Sequence, residues 1–351
     1  MSFELNKLIR ENIKSLKPYS SARDEFKGKA EVFLDANENN FGSVGSNENY
    51  NRYPDPLQWK VKTKLSEIKN VKPESIFIGN GSDEAIDLIF RCFCEPGIDN
   101  VIVTPPTYGM YEVSANINNV ALVKVNLNEE YQIKENEILN SVTPNTKAIF
   151  ICSPNNPTGN LIDRSKIEYL LNNYNGLVIV DEAYIDYVGE EIWINHINNY
   201  PNLIVLQTFS KAWGLANLRI GLAFASKDII DVFNKVKPPY NVNGYSQNIA
   251  LNALNNVKQK EEWVTKTIHE RTNLVNYLKE VSYINKIYPS DANFVLFKCK
   301  DANSLYKLLT DKGIVTRNRS TVTLCENGIR VSIGTPEENQ KLISTLKEIK
   351  L

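Results

Sequence analysis

Histidine is nearly absent: the 351 residues include two, His196 and His269, both in polar surroundings. An imidazole-based metal site or a Ser-His-Asp triad needs histidine at fixed positions, so no metal is expected and neither chemistry is favoured. Long apolar runs are missing too. No stretch of the sequence approaches the roughly 18 residues of a membrane-crossing helix. Met1 to Lys17 is charged throughout and lacks an apolar h-region, which predicts no secretory signal. The cysteines are few and odd in number. Cys92, Cys94, Cys152, Cys299 and Cys325 are scattered, and they are expected as reduced thiols of a cytoplasmic protein. Neither sign of charge dominates, with 40 Lys plus Arg against 41 Asp plus Glu, so nucleic acid and membrane are not expected as main partners. Internal repeats and low-complexity tracts are likewise missing.

What remains is an ordinary globular composition, long enough for more than one core. Short apolar runs alternate with helix-length segments: Ile76 to Ile78, Val101 to Val103, Ala121 to Val125, Ala148 to Cys152, Leu177 to Val180 and Leu203 to Leu206. Such runs predict a mostly parallel sheet covered on both faces. Val32 to Leu34 reads as a further short strand. After about Pro239 the pattern changes. Lys258 to Ser282 predicts one long helix, with Trp263, Leu274, Leu278 and Val281 near one face. Phe294 to Phe297, Ile314 to Thr316 and Ile329 to Ile333 read as strands, and Thr335-Pro336-Glu337-Glu338 as a capping box opening the last helix. The expected organisation is an N-terminal segment, 1–30, packing with the smaller unit, then a large α/β domain, 31–240, and a small α+β domain, 241–351.

In open parallel sheets, ligands sit at the carboxyl ends of the strands. Asn156, Asp181 and Lys211 each fall just past such an end, so the three are candidates for one crevice. Gly79-Asn80-Gly81-Ser82-Asp83-Glu84 joins a strand to a helix, with Ser82 as the expected N-cap. That junction offers backbone N–H groups and a positive dipole end to an anion, with the acidic side chains turned away. Taken together these residue types meet the needs of pyridoxal 5′-phosphate. Lys211 would hold the aldehyde, Asp181 would keep the ring nitrogen protonated, and Asn156 with Tyr184 would serve the phenolic oxygen. Ser82, Asp83, Ser210 and Arg219 would hold the phosphate.

Ser153-Pro154-Asn155-Asn156-Pro157-Thr158-Gly159, Asp181-Glu182-Ala183-Tyr184 and Ser210-Lys211-Ala212-Trp213-Gly214-Leu215-Ala216-Asn217-Leu218-Arg219 resemble the signature of fold-type I, pyridoxal-phosphate-dependent aminotransferases. The resemblance spans nearly the whole chain. It sharpens toward the class II members that act on histidinol phosphate through Lys17-Pro18-Tyr19, Asn37-Glu38, Arg52-Tyr53-Pro54-Asp55, Gly81-Ser82-Asp83-Glu84, Cys94-Glu95-Pro96-Gly97 and Pro105-Pro106-Thr107-Tyr108-Gly109-Met110-Tyr111. It implies a seven-stranded, mostly parallel sheet between helices plus a smaller α+β domain. It also implies a cytoplasmic homodimer that exchanges the amino group between histidinol phosphate and 2-oxoglutarate/glutamate.

By the same resemblance Lys211 carries the cofactor as a Schiff base and moves the proton. Asp181 pairs with the pyridinium, Asn156 and Tyr184 bond the phenolic oxygen, and Tyr108 stacks on the ring. Tyr53 reaches the phosphate of the neighbouring subunit, while Arg330, with Arg317, Tyr19 and Asn37, binds substrate. Arg319 is a cation beyond the family pattern, and Asn217 and Leu222 depart from its usual residues. Aromatic amino-acid aminotransferases and threonine-phosphate decarboxylase share much of this pattern. A cofactor-binding transcription regulator would need a DNA-binding domain ahead of Val32 and a basic cluster. A catalytically dead binding protein would have no need of the lysine, the aspartate and both arginines.

Overall fold

The computed structural model describes residues 3–19, 31–189 and 192–351. The large sheet has seven strands: β1 (Ile76–Asn80), β2 (Asn100–Val103), β3 (Ala121–Lys124), β4 (Thr146–Cys152), β5 (Leu177–Asp181), β6 (Leu203–Thr208) and β7 (Ile220–Phe224). Their spatial order is β1-β7-β6-β5-β4-β2-β3. Every neighbouring pair is parallel except those involving β7, which runs against both β1 and β6. The expectation of a mostly parallel, seven-stranded sheet is met.

Side chains alternate between two cores because successive strand residues face opposite sides. Ile149, Ile151, Val178, Val180, Leu203 and Val205 enter one core, with Val61 and Leu65 of the helix Trp59–Lys69. Ala148, Phe150, Leu177, Ile179, Ile204 and Leu206 enter the other, under the helices Ser82–Phe93, Met110–Ile117 and Lys227–Val236. Cys92, Phe93 and Cys94 are fully packed in that second core. Burial pushes both of these thiols up to about 12, so they behave as apolar filling.

The smaller sheet comprises β8 (Ile284–Ile287), β9 (Phe294–Cys299), β10 (Arg317–Asn318) and β11 (Gly328–Ser332), in the order β10-β11-β9-β8. It is antiparallel throughout and is covered by the helices Val257–Leu278, Ala302–Asp311 and Pro336–Glu348. The capping box at Thr335 and Glu338 forms as expected.

Several expectations are corrected. Residues 3–19 do not pack with the smaller unit; residues 20–30 lie outside those described. Ile13 is buried in the second core of the large sheet, and Arg10 pairs with Glu95 at 3.0 Å, because the apolar residues of this segment find the helix Ser82–Phe93 beside them. The helix Gly244–Leu254, past the expected boundary at 240, packs in the first core of the large sheet through Ala250 and Leu254. Val32 to Leu34 forms no strand; Val32 and Leu34 are exposed and have no partner strand. Ile314 to Thr316 stays outside the ladder, which begins at Arg317. Gly81, not Ser82, is the N-cap; its φ of 74° with ψ of 165° is a pair essentially confined to glycine. The long helix stops at Leu278, and Val264 rather than Trp263 is its buried residue there.

β7 positions the anion end of the helix Ser82–Phe93. Gly221 lies so close to that turn that a Cβ there would sit 1.9 Å from the Ser82 nitrogen. Gly221→Ala is expected to destabilise the fold by about 3 kcal/mol, since backbone must move to admit the methyl group. Denaturant unfolding measures this; an unchanged midpoint would show that the strand-to-helix turn is loose.

Candidate active site

The carboxyl ends of β1, β2, β4, β5 and β6 and the amino end of β7 meet at one edge of the large sheet. A cavity of about 90 Å³ lies there, lined by Ser82, Asp83, Tyr108, Asn156, Asp181, Tyr184, Ser210, Lys211 and Arg219, with Cys152 and Thr208. It opens beside a wider cleft of about 720 Å³ that shares Tyr108, Asn156, Tyr184 and Lys211 and adds Arg317, Arg319 and Arg330. Of the fourteen residues expected in the site, the nine named first line the inner cavity, Arg317 and Arg330 line its mouth with Arg319, and Tyr53 and Asn37 line a separate groove. Tyr19 is exposed, and Tyr53 stacks on Tyr240 at 4.5 Å.

Asp181 ends β5 and is 2% exposed. Its Oδ2 accepts from the Tyr111 hydroxyl at 2.7 Å, and its Oδ1 from the Ala183 N–H at 3.1 Å. Burial raises its pKa to about 6 against these two bonds. The neighbouring Glu182 takes separate partners, the Trp193 N–H at 2.6 Å and the Gln207 side chain at 2.8 Å. Burial lifts it to about 7. Lys211 follows β6 in a loop braced by the Thr208 hydroxyl, which accepts from the Ser210 N–H at 3.0 Å. Its ammonium lies 5.4 Å from the centre of the Tyr184 ring. Burial and the nearby Arg330 lower its pKa, opposed by Asp181 and Asp83. A lysine so placed releases its proton more readily and becomes a better nucleophile.

Asn156 sits in the loop after β4, fixed where Asn155 donates to the Pro106 carbonyl at 2.8 Å. Asn156 Nδ2 donates to the Tyr184 hydroxyl at 3.3 Å, and its Oδ1 accepts from Arg330 Nη1. Asp83 differs from expectation: its carboxylate faces the cavity, taking the Tyr108 hydroxyl at 3.1 Å and Arg219 Nη2 at 3.3 Å. Glu84 does turn away, to Asn80 and Asn241. Tyr111 was given no separate role by the sequence; its hydrophobic context and its place three residues after Tyr108 are the only signals. Cys152 is the strand neighbour of Asp181, across from it on β4.

These residues suit a ligand with a cationic nitrogen for Asp181, an oxygen for Asn156 and Tyr184, an anion for the helix N-terminus, and a carbonyl for Lys211. The rise at Asp181 from 3.8 to about 6 corresponds to about 3 kcal/mol of ionisation penalty. That penalty is absent below about pH 4 and complete above about pH 6, because the folded-state pKa is the higher one. Asp181→Asn is therefore expected to raise the thermal midpoint of the ligand-free protein at pH 8, with the advantage fading as pH falls from 6 to 4. Thermal unfolding across that range checks it; an equal gain at pH 4 would contradict the electrostatic origin.

The family described as aminotransferase class I and II matches residues 22–346. A histidinol-phosphate aminotransferase of Cytophaga hutchinsonii is 51% identical over 347 residues, 99% of each chain. Among solved structures, the histidinol-phosphate aminotransferase of Clostridium acetobutylicum superposes with a TM-score of 0.79 at 25% identity, over 85% of this chain and 90% of that one. The enzyme of the same name from Sinorhizobium meliloti, solved with pyridoxal-5′-phosphate, gives 0.79 at 23% identity over 89% of both. With the lysine, aspartate and asparagine gathered at one sheet edge and this likeness end to end, the chain belongs to the class I and II aminotransferases, among the histidinol-phosphate aminotransferases.

Proposed function

We propose that this chain is a pyridoxal-phosphate-dependent aminotransferase of histidine biosynthesis. It moves the amino group of L-histidinol phosphate to 2-oxoglutarate, giving 3-(imidazol-4-yl)-2-oxopropyl phosphate and L-glutamate. The observation that carries this reading is the meeting of Lys211, Asp181, Asn156 and Tyr184 in one cavity beneath an arginine-lined mouth.

When bound, the cofactor supplies an aldehyde for amines and a ring that accepts the electron pair left by proton removal. Asp181 would favour the protonated form of the ring nitrogen, whose positive charge would offset the cost of burying the carboxylate. Asn156 and Tyr184 donate to the phenolic oxygen, and Tyr108 flanks the ring. Ser82, Asp83, Ser210 and Arg219 hold the phosphate through main-chain N–H groups, a hydroxyl and a guanidinium. Lys211 would hold the aldehyde, and its freed amine would take and return the proton at the substrate Cα. Its lowered pKa eases the release of the ammonium proton.

Arg330 is held against Asn156 and over the Phe294 ring, 5.1 Å from its centre. It meets the phosphate of histidinol phosphate or the α-carboxylate of glutamate in turn, since a guanidinium binds either anion through paired hydrogen bonds. Val32, Leu34, Phe41 and Val44, in the segment around Asn37 and Glu38 of the Tyr53 groove, are exposed. An apolar surface of this kind suits a homodimer in which Tyr53 serves the other subunit's site. The five buried free thiols suit a reducing compartment, the cytoplasm. Among the described residues no helix is long and apolar enough to cross a membrane.

Lys211→Ala is expected to abolish the visible absorbance of the attached cofactor and all transamination; retention of the band would remove Lys211 from its role. Arg330→Lys is expected to slow both half-reactions by about tenfold or more, since lysine cannot form the paired bonds. Stopped-flow spectra with each substrate separate the two halves, and an effect on one alone would overturn the shared-anion reading. Sedimentation equilibrium tests the dimer, for which a monomer at micromolar concentration is the contrary result.

A further inference from the structure

Three guanidiniums share the mouth of the active site, and their arrangement is unfavourable without a ligand. Arg317 on β10 lies directly opposite Arg330 on β11. The pairing continues past Asn318, because the Arg319 N–H donates to the Gly328 carbonyl at 2.8 Å. Arg317 and Arg319 are two residues apart along an extended segment and so share a face. Like charges facing each other across a strand pair are mutually destabilising. The cleft carries five cations, Lys124, Lys211, Arg317, Arg319 and Arg330, and a single carboxylate, Glu112. Glu112 is already committed to Lys124 at 2.7 Å. Among the described residues none of the three arginines makes an ion pair.

The three are not equivalent. Arg330 is oriented by Asn156 and Phe294. Arg317 is exposed at the rim. Arg319 is half-buried, and its Nε is enclosed without a hydrogen-bond partner. Burial and the two flanking guanidiniums lower its pKa to about 10, so it stays charged at neutral pH while bearing their repulsion. A carboxylate offers one pair of oxygens and one charge, which a single guanidinium fork satisfies. A phosphomonoester offers three terminal oxygens and, above its second pKa near 6, two charges. A second and third guanidinium therefore add little for a carboxylate but match the phosphate.

We propose that Arg319 is a specificity-determining residue that completes a three-guanidinium receptor for the dianionic phosphomonoester end of the amine substrate. The inference rests on the aminotransferase reading and assigns to Arg319 the preference for phosphate over carboxylate at a position both anions use. It makes phosphate discrimination a property of this chain's extra arginine, with Arg330 supplying the contact common to both substrates.

The test uses the cofactor-loaded enzyme and the variants Arg319→Gln, Arg319→Lys and Arg317→Gln. Single-turnover rates are measured for histidinol phosphate and for glutamate from pH 5 to 8, and inorganic phosphate is titrated by calorimetry. Loss of one charged hydrogen-bonding partner predicts that the ratio of the histidinol-phosphate to the glutamate rate constant falls about 10- to 100-fold in Arg319→Gln. The rise in phosphate affinity across pH 6, present in the wild type, flattens in Arg319→Gln and returns in part in Arg319→Lys. Arg317→Gln changes the ratio less. An unaltered ratio and pH dependence in Arg319→Gln would overturn the inference while leaving the aminotransferase reading intact, as would a larger effect from Arg317→Gln. Wild-type enzyme that reacts with glutamate but not with histidinol phosphate would overturn the substrate reading and this inference with it.

Discussion

A carboxylate kept dry is the constraint on which the site depends. Asp181 stands at the end of a central strand with one hydroxyl and one backbone N–H as hydrogen-bond partners. Its environment is made by core packing. Tyr111, which supplies the hydroxyl, stacks on Phe150 at 4.9 Å, and Phe150 stacks on Phe90 at 5.5 Å. The three rings run from the helix Ser82–Phe93 across β4 to the helix Met110–Ile117. The packing that covers this face of the sheet also excludes water from Asp181. Stability and chemistry pull against each other at this residue, and a positively charged ligand nitrogen reconciles them.

The reversed strand β7 supplies what a purely parallel sheet lacks. Parallel neighbours deliver only carboxyl ends to the site; β7 delivers its amino end and, just before it, Arg219. Arg219 adopts a left-handed φ of 55°, and its carbonyl accepts from the Gly81 N–H at 2.7 Å. The guanidinium and the helix N-terminus are thus tied together by backbone. Gly81 and Gly221 permit that approach, one through a positive φ and the other through the missing Cβ.

The buried strands of the large sheet were legible because their apolar runs are continuous, and Asn156, Asp181 and Lys211 were placed by lying just beyond them. β7 was not read as a strand, since Ile220 to Phe224 follows directly on the signature loop with no helix between to announce it. β8 was missed for another reason: as an edge strand with a mixed Ile-Asn-Lys-Ile sequence it buries too little to leave a pattern. Val32 to Leu34 misled in the opposite direction, because apolar residues that face solvent in this chain look like strand residues. Tyr111 could not be assigned a role from its motif, since its hydroxyl meets Asp181 from 70 positions away in sequence. Asp83 defied the expectation for a first-turn acid because Tyr108 and Arg219, from two other elements, draw its carboxylate inward.

Charge is distributed along the cavity with a clear polarity. At the floor, an underpartnered carboxylate favours a cation; at the mouth, three guanidiniums favour an anion. Neither group compensates the other, for Arg330 is held by Asn156 and Phe294 rather than by Asp181. Lys211 lies between them, its proton loosened by burial and by Arg330 and retained by Asp181 and Asp83. A ligand set with a protonated ring nitrogen inward and a phosphate or carboxylate outward would relieve both ends at once. Its arrival would also change the field at Lys211: anions at the mouth screen Arg330 and favour the ammonium, while a cation against Asp181 favours the free amine. The lysine's readiness to give or take a proton is thus set by which end of the cavity is filled, and that coupling follows from the placement of charges on strands whose positions the two cores fix.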